Sequence, residues 1–71
     1  MEVINVEDIR ESAARVCEAA HENANGIREA TTPDELIAAI IAVINHAHYN
    51  FGLKQSLDIY VMTLRERLLI E

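Results

Sequence analysis

Residues that cross-link a chain or interrupt its helices are scarce in this sequence of 71 residues. It contains one cysteine, one proline, two glycines and no tryptophan. A single cysteine, Cys17, excludes an internal disulfide. Such a cysteine among alanines is typical of a small buried hydrophobe in a reducing compartment. We therefore expect a cytoplasmic protein.

Positive charge is scarce as well, since 6 Lys and Arg stand against 12 Asp and Glu and the net charge is −6. Nucleic-acid binding depends on basic residues that neutralise phosphates, so we predict no nucleic-acid partner. The longest apolar run, Leu36 to Ile44, is far shorter than the roughly 20 residues of a membrane span. The first ten residues carry acids where a signal peptide needs Lys or Arg. The sequence predicts a soluble protein that does not enter a membrane.

Catalytic motifs are also missing. The chain has no G-x-S-x-G elbow, no glycine-rich phosphate loop and no Ser/His/Asp set on loops. These absences favour a protein that is not an enzyme and that needs no cofactor.

Good helix formers dominate the chain, which indicates an all-α fold. Asn5 is a suitable N-cap for a first helix. Apolar or small residues then recur every three or four positions, with one slip at Asn23. They are Val6, Ile9, Ala13, Val16, Ala20 and Ile27. Two interpretations stay open at Asn23–Gly26, because a helix could end or kink there or continue to about Ala30.

The second helix has the clearest start, with Thr32 as N-cap, Pro33 at the first helical position and Glu35 completing a capping box. Gly52 fits the position after its end. A third helix follows from Lys54, or from Ser56 as an alternative cap. The competing interpretation of Leu57–Leu64 is a strand, since β-branched residues cluster there.

These signals predict one domain over residues 1–71: a three-helix antiparallel bundle with helices at about 6–30, 33–50 and 54–70. Residues 1–5 are expected to be disordered. The apolar run of the second helix covers every side of that helix, as is typical of a buried helix. Because 71 residues bury a limited core, we expect a homodimer that forms a larger helical bundle. The alternative is a monomer with a few exposed aliphatic residues.

The residues expected to contact a second copy or another protein are the apolar residues that a single bundle does not cover. They are Ile40, Ile44, Ile59, Met62, Leu69 and Ile70. The sequence therefore predicts a small acidic interaction module, a regulator, adaptor or inhibitor, that acts through an apolar helix surface and associates with itself.

The alternative hypothesis is a helical bundle that binds a metal or a small ligand. Cys17, Glu18 and His21 have spacings that can place metal ligands on one side of a helix. A single E-x-x-H pair is common on solvated surfaces, so no metal is the main expectation. His46 and His48 lie about 200° apart on a helix and cannot chelate one ion from it, so they are expected to mark the polar end of the second helix.

Overall fold

A computed structural model describes residues 6–47 and 49–70, with side chains as far as Glu66, and this part of the chain contains four helices. In chain order they are α1 (Val6–Ala19), α2 (Asn25–Glu29), α3 (Pro33–His46) and α4 (Phe51–Ile70). The described residues contain no strand, so the all-α class is confirmed and the strand alternative for residues 57–64 is wrong. The predicted disorder of residues 1–5 lies outside the described part of the chain.

Helix α1 ends at Ala19, so the extension of the first helix to about residue 30 is wrong. The chain leaves the helix through His21, which has a positive φ of 62°. The Glu22 N–H donates to the Cys17 carbonyl at 2.8 Å, and the His21 N–H donates to the Glu18 carbonyl at 3.0 Å. This pair of bonds is the Schellman ending of a helix, in which glycine usually occupies the left-handed position.

Helix α2 has five residues, which are too few for a stable isolated helix, so its stability depends on contacts with the rest of the chain. Its start is fixed by the Asn23 side chain, which accepts from the Asn25 N–H at 2.8 Å. At its other end, Arg10 of α1 donates to the Ala30 carbonyl at 2.7 Å. Ile27 is fully buried and anchors the segment in the core.

A cluster of exposed charges also joins α2 to α1. The Arg28 guanidinium lies 2.6 Å from a Glu18 oxygen and 2.9 Å from a Glu11 oxygen. A hydrogen bond from Arg15 lowers the pKa of Glu11, and hydrogen bonding by Arg28 lowers it further. A hydrogen bond from Arg28 lowers the pKa of Glu18.

Helix α3 begins as the sequence predicts. The Thr32 hydroxyl accepts from the Glu35 N–H at 3.2 Å, and Pro33 occupies the first turn. The returning bond of the capping box is displaced by one residue, because the Glu35 carboxylate accepts from the Thr31 N–H at 3.3 Å. The helix ends at His46, four residues before the predicted limit, where the Ala47 N–H donates to the Val43 carbonyl.

Helix α4 begins at Phe51, three residues before the predicted start. Asn50 is its cap, since the Asn50 side chain accepts from the Leu53 N–H at 3.1 Å. Gly52 therefore lies inside the first turn of α4 and does not follow the end of the preceding helix. Ser56 is an interior residue of α4.

The core lies where α1, α3 and α4 meet, and α2 packs against α1 and α3. The largest fully buried side chains of the core are Ile27, Leu36, Ile40, Leu57, Leu64 and Cys17. The radius of gyration of the Cα atoms, 11.4 Å, is close to the value of about 11 Å expected for a compact domain of this length.

The apolar run of α3 is covered better by its own chain than the sequence indicates. Leu36 and Ile40 are buried, while Ile37, Ile41 and Ile44 are half-buried against the core. No large apolar side chain of α3 is among the exposed ones in the described part of the chain. The chain itself therefore covers most of the apolar surface of α3, and the large exposed apolar side chains Phe51, Ile59 and Met62 lie on α4.

Candidate functional site

Helix α4 is apolar on two opposite sides. One side is buried through Leu53, Leu57, Val61 and Leu64. The other carries the three large apolar side chains that we call the α4 outer face: Phe51, Ile59 and Met62. They are 72%, 64% and 61% exposed.

The positions of these residues along the helix explain why they form one face. Met62 follows Phe51 by eleven residues and therefore lies within about 20° of it around the helix axis. Ile59 lies about 60° from Met62 and one turn away, so the two side chains adjoin each other. The buried residue Leu57 lies on the opposite side of the helix. The outer face is thus a surface that the fold of one chain leaves uncovered.

Polar residues surround the Ile59–Met62 pair. Gln55, Asp58, Arg65 and Glu66 are all exposed and lie on the same half of the helix. An apolar centre with a polar border is the usual arrangement of a protein–protein interface. Scattered apolar side chains are normal on any protein surface, so the arrangement around Ile59 and Met62 is more informative than their exposure.

The structure places the predicted contact residues in different environments. Ile59 and Met62 are exposed, as expected for residues outside the buried side of the helix. Ile40 is 0% exposed and is enclosed by its own chain, so it offers no surface to a partner, and Ile44 is half-buried. The side chains of Leu69 and Ile70 lie outside the described residues.

The three candidate metal ligands do not come together. Cys17 is buried in the core, and this burial raises the pKa of its thiol. The Glu18 carboxylate is bound by Arg28, and His21 is exposed. In the described part of the chain, no group of three His, Cys, Asp or Glu side chains has a geometry that could hold a metal ion.

One polar contact of the structure was not predicted from the sequence. His46 is exposed at the end of α3, and its Nδ1 lies 3.0 Å from a Glu22 oxygen. The two residues are 24 positions apart, and no local pattern predicts which residues meet over that distance. His48 lies outside the described residues.

No family model, curated protein or solved structure matches this chain. None of the helices in the described residues is both long enough and apolar enough to cross a membrane. The function is therefore inferred from the chain's own surfaces.

Proposed function

We propose that this protein is a small, non-enzymatic interaction module whose α4 outer face binds a second copy of the same chain. The supporting observation is the exposure of Ile59 and Met62 side by side within a polar border. Burial of each such side chain contributes about 1.5–3 kcal/mol. That gain is substantial for a domain of this size, which is only marginally stable alone.

An antiparallel pairing of two α4 helices accounts for both the apolar and the charged residues of this face. A two-fold axis midway between Ile59 and Met62 places Ile59 of each copy beside Met62 of the other. Asp58 and Arg65 are seven residues apart and lie on the same side of the helix. The same axis brings Asp58 of one copy within reach of Arg65 of the second copy, and the reverse. These exposed pairs contribute more to the orientation of the dimer than to its affinity.

The mass of the protein over a dilution series tests this proposal. We expect sedimentation velocity to show twice the chain mass of 8.0 kDa at high concentration, with dissociation towards roughly micromolar protein. Met62→Glu should give monomers at every concentration, because each new carboxylate would be buried against Ile59 of the other copy with no opposite charge to compensate it. Ala38→Glu is the matched control, since Ala38 is exposed on α3 and away from the proposed contact.

Charge exchange tests the antiparallel arrangement itself. Asp58→Arg and Arg65→Asp should each weaken the dimer, and the double variant should restore it because the two charges are exchanged. A wild-type chain that stays monomeric at roughly millimolar concentration would refute self-association. A dimer that is insensitive to Met62→Glu would refute the proposed face.

The same face is the expected contact for a partner of different sequence, in keeping with a role as regulator, adaptor or inhibitor. A photo-reactive amino acid at position 62, activated in the native host, should cross-link that partner, which mass spectrometry then identifies. The same probe at position 38 should not capture it. Equal capture from both positions would argue against the α4 outer face as the docking surface.

A further inference from the structure

A cleft lies on the side of the molecule formed by α2, α3 and the segment that joins α1 to α2. Its volume is about 520 Å³, within the range of about 300–1,000 Å³ that is typical of small-molecule sites. It is lined by His21, Glu22, Asn23, Gly26, Ile27, Ala39, Ala42, Val43 and His46. None of these residues belongs to the α4 outer face.

The floor of the cleft is apolar and consists largely of small residues. Ile27 is fully buried beneath it, and Val43 is half-buried beside it. Gly26 faces Ala39, since a Cβ atom at Gly26 would lie 3.8 Å from the Ala39 Cβ. The space exists because no large side chain of α2 or α3 enters it. Such a floor favours an apolar ligand body.

The polar wall of the cleft is centred on Glu22. The Glu22 side chain is only 10% exposed, although the side chain of His46, which pairs with it, is 80% exposed. A carboxylate in such a place loses much of its hydration and needs hydrogen bonds or an opposite charge to compensate. Among the residues that the structure describes, no Lys or Arg lines the cleft. An anionic ligand would therefore meet a carboxylate without a permanent cation, whereas a cationic ligand would be complementary to it.

The rim of the cleft contains the one described residue other than glycine that has a positive φ, His21. Glycine would adopt this conformation at lower cost, and strained positions of this kind are common at ligand-binding sites. This turn places His21 and Glu22 side by side in the lining of the cleft.

We propose that this cleft binds a small organic cation, an ammonium group attached to a compact apolar body, with Glu22 accepting from the ammonium and with Ile27 and Val43 contacting the apolar part. The net charge of −6 favours the approach of such a cation. This site is separate from the α4 outer face and does not depend on self-association.

Three probes of similar shape and different charge test the proposal: phenethylamine, phenethyl alcohol and hydrocinnamate. Titration of the isotopically labelled protein, followed by two-dimensional NMR at neutral pH, measures each affinity and locates the site. The ammonium probe should bind best and shift the resonances of Gly26, Ala42 and Val43. The alcohol should bind about tenfold more weakly, because a hydrogen bond to a charged group is stronger than one between neutral groups. The carboxylate should bind least.

Two variants separate the charge from the shape of the site. Glu22→Gln should reduce the affinity for phenethylamine about tenfold, to that of the alcohol, and leave the alcohol unaffected. Ala42→Phe should abolish binding of both probes, because the new ring fills the cleft from an exposed position. Ala38→Phe adds the same ring to α3 outside the cleft and should leave binding unchanged.

Equal affinity for phenethylamine and hydrocinnamate would overturn the proposal, as would resonance shifts confined to residues outside the cleft. An affinity for phenethylamine that is unchanged in Glu22→Gln would remove Glu22 from the site. A far-UV spectrum of each variant shows whether its helices are intact, and Glu22→Gln keeps the size and shape of the native side chain while it removes the charge.

Discussion

Replacement of His21 by glycine should stabilise the protein. His21 has a φ of 62°, and a residue with a Cβ atom pays roughly 1–2 kcal/mol in this left-handed conformation. Glycine removes that cost but loses about 0.5–1 kcal/mol more backbone entropy on folding. The two bonds that end α1 are made by the backbone of His21 and Glu22, so they remain in the variant. The expected net gain is about 0.5–1 kcal/mol.

Urea unfolding followed by circular dichroism measures this gain in the free energy of unfolding. In thermal unfolding, the melting temperature should rise by about 2–8 °C, given the entropy of unfolding of a domain of this size. His21→Ala keeps the Cβ atom and removes the imidazole, so it should not be stabilised. A destabilised His21→Gly variant, or an equal gain from alanine and from glycine, would show that the backbone of His21 is not strained at this position.

Two further predictions concern charge and thiol chemistry. Contacts with Arg15 and Arg28 lower the pKa of Glu11 below the ordinary 4.5, and contacts with Arg28 lower the pKa of Glu18 in the same way. The unfolded chain therefore binds more protons than the folded one near and below that pH. Stability should therefore fall as the pH drops through this range, and Arg28→Gln should flatten the dependence in acid unfolding curves; an unchanged curve would contradict the role of Arg28. Cys17 is buried and the pKa of its thiol is raised, so Ellman's reagent should react with it only in denaturant. Rapid labelling of the native protein would show that the thiol is accessible.

Local signals in the sequence predicted the helices well where a cap and an apolar pattern agree. Thr32, Pro33 and Glu35 fix the start of α3 through contacts within one turn. The buried residues Leu57, Val61 and Leu64 of α4 recur every three or four positions, which is the helical period. Such features are readable because each depends on residues that are close in the chain.

The errors in the prediction have a common physical origin. Both glycines lie inside helices, at Gly26 and Gly52, while the left-handed position that ends α1 is occupied by His21. A rule that assigns helix ends to glycine therefore misplaces the end of the second helix. Asn50 was the available signal for the start of α4, since asparagine is a strong N-cap.

The candidate sites divide in the same way. The exposure of Ile59 and Met62 follows from the helical period of α4 alone. The burial of Ile40 within one chain depends on how closely α1 and α4 approach α3, which no local pattern specifies. The meeting of Glu22 and His46 depends on the turn at His21 and on the path of α2, so the cleft could not be anticipated from spacing.

The aromatic rings of this protein are distributed in a way that affects how it is observed. Tyr49 and Phe51 are largely exposed, Tyr60 is half-buried, and the chain has no tryptophan. Its interior is therefore aliphatic and contributes little ultraviolet absorption or emission. Tyrosine emission will mainly sense what touches the exterior near α4, so an added molecule that docks there can be followed optically with little background from the interior.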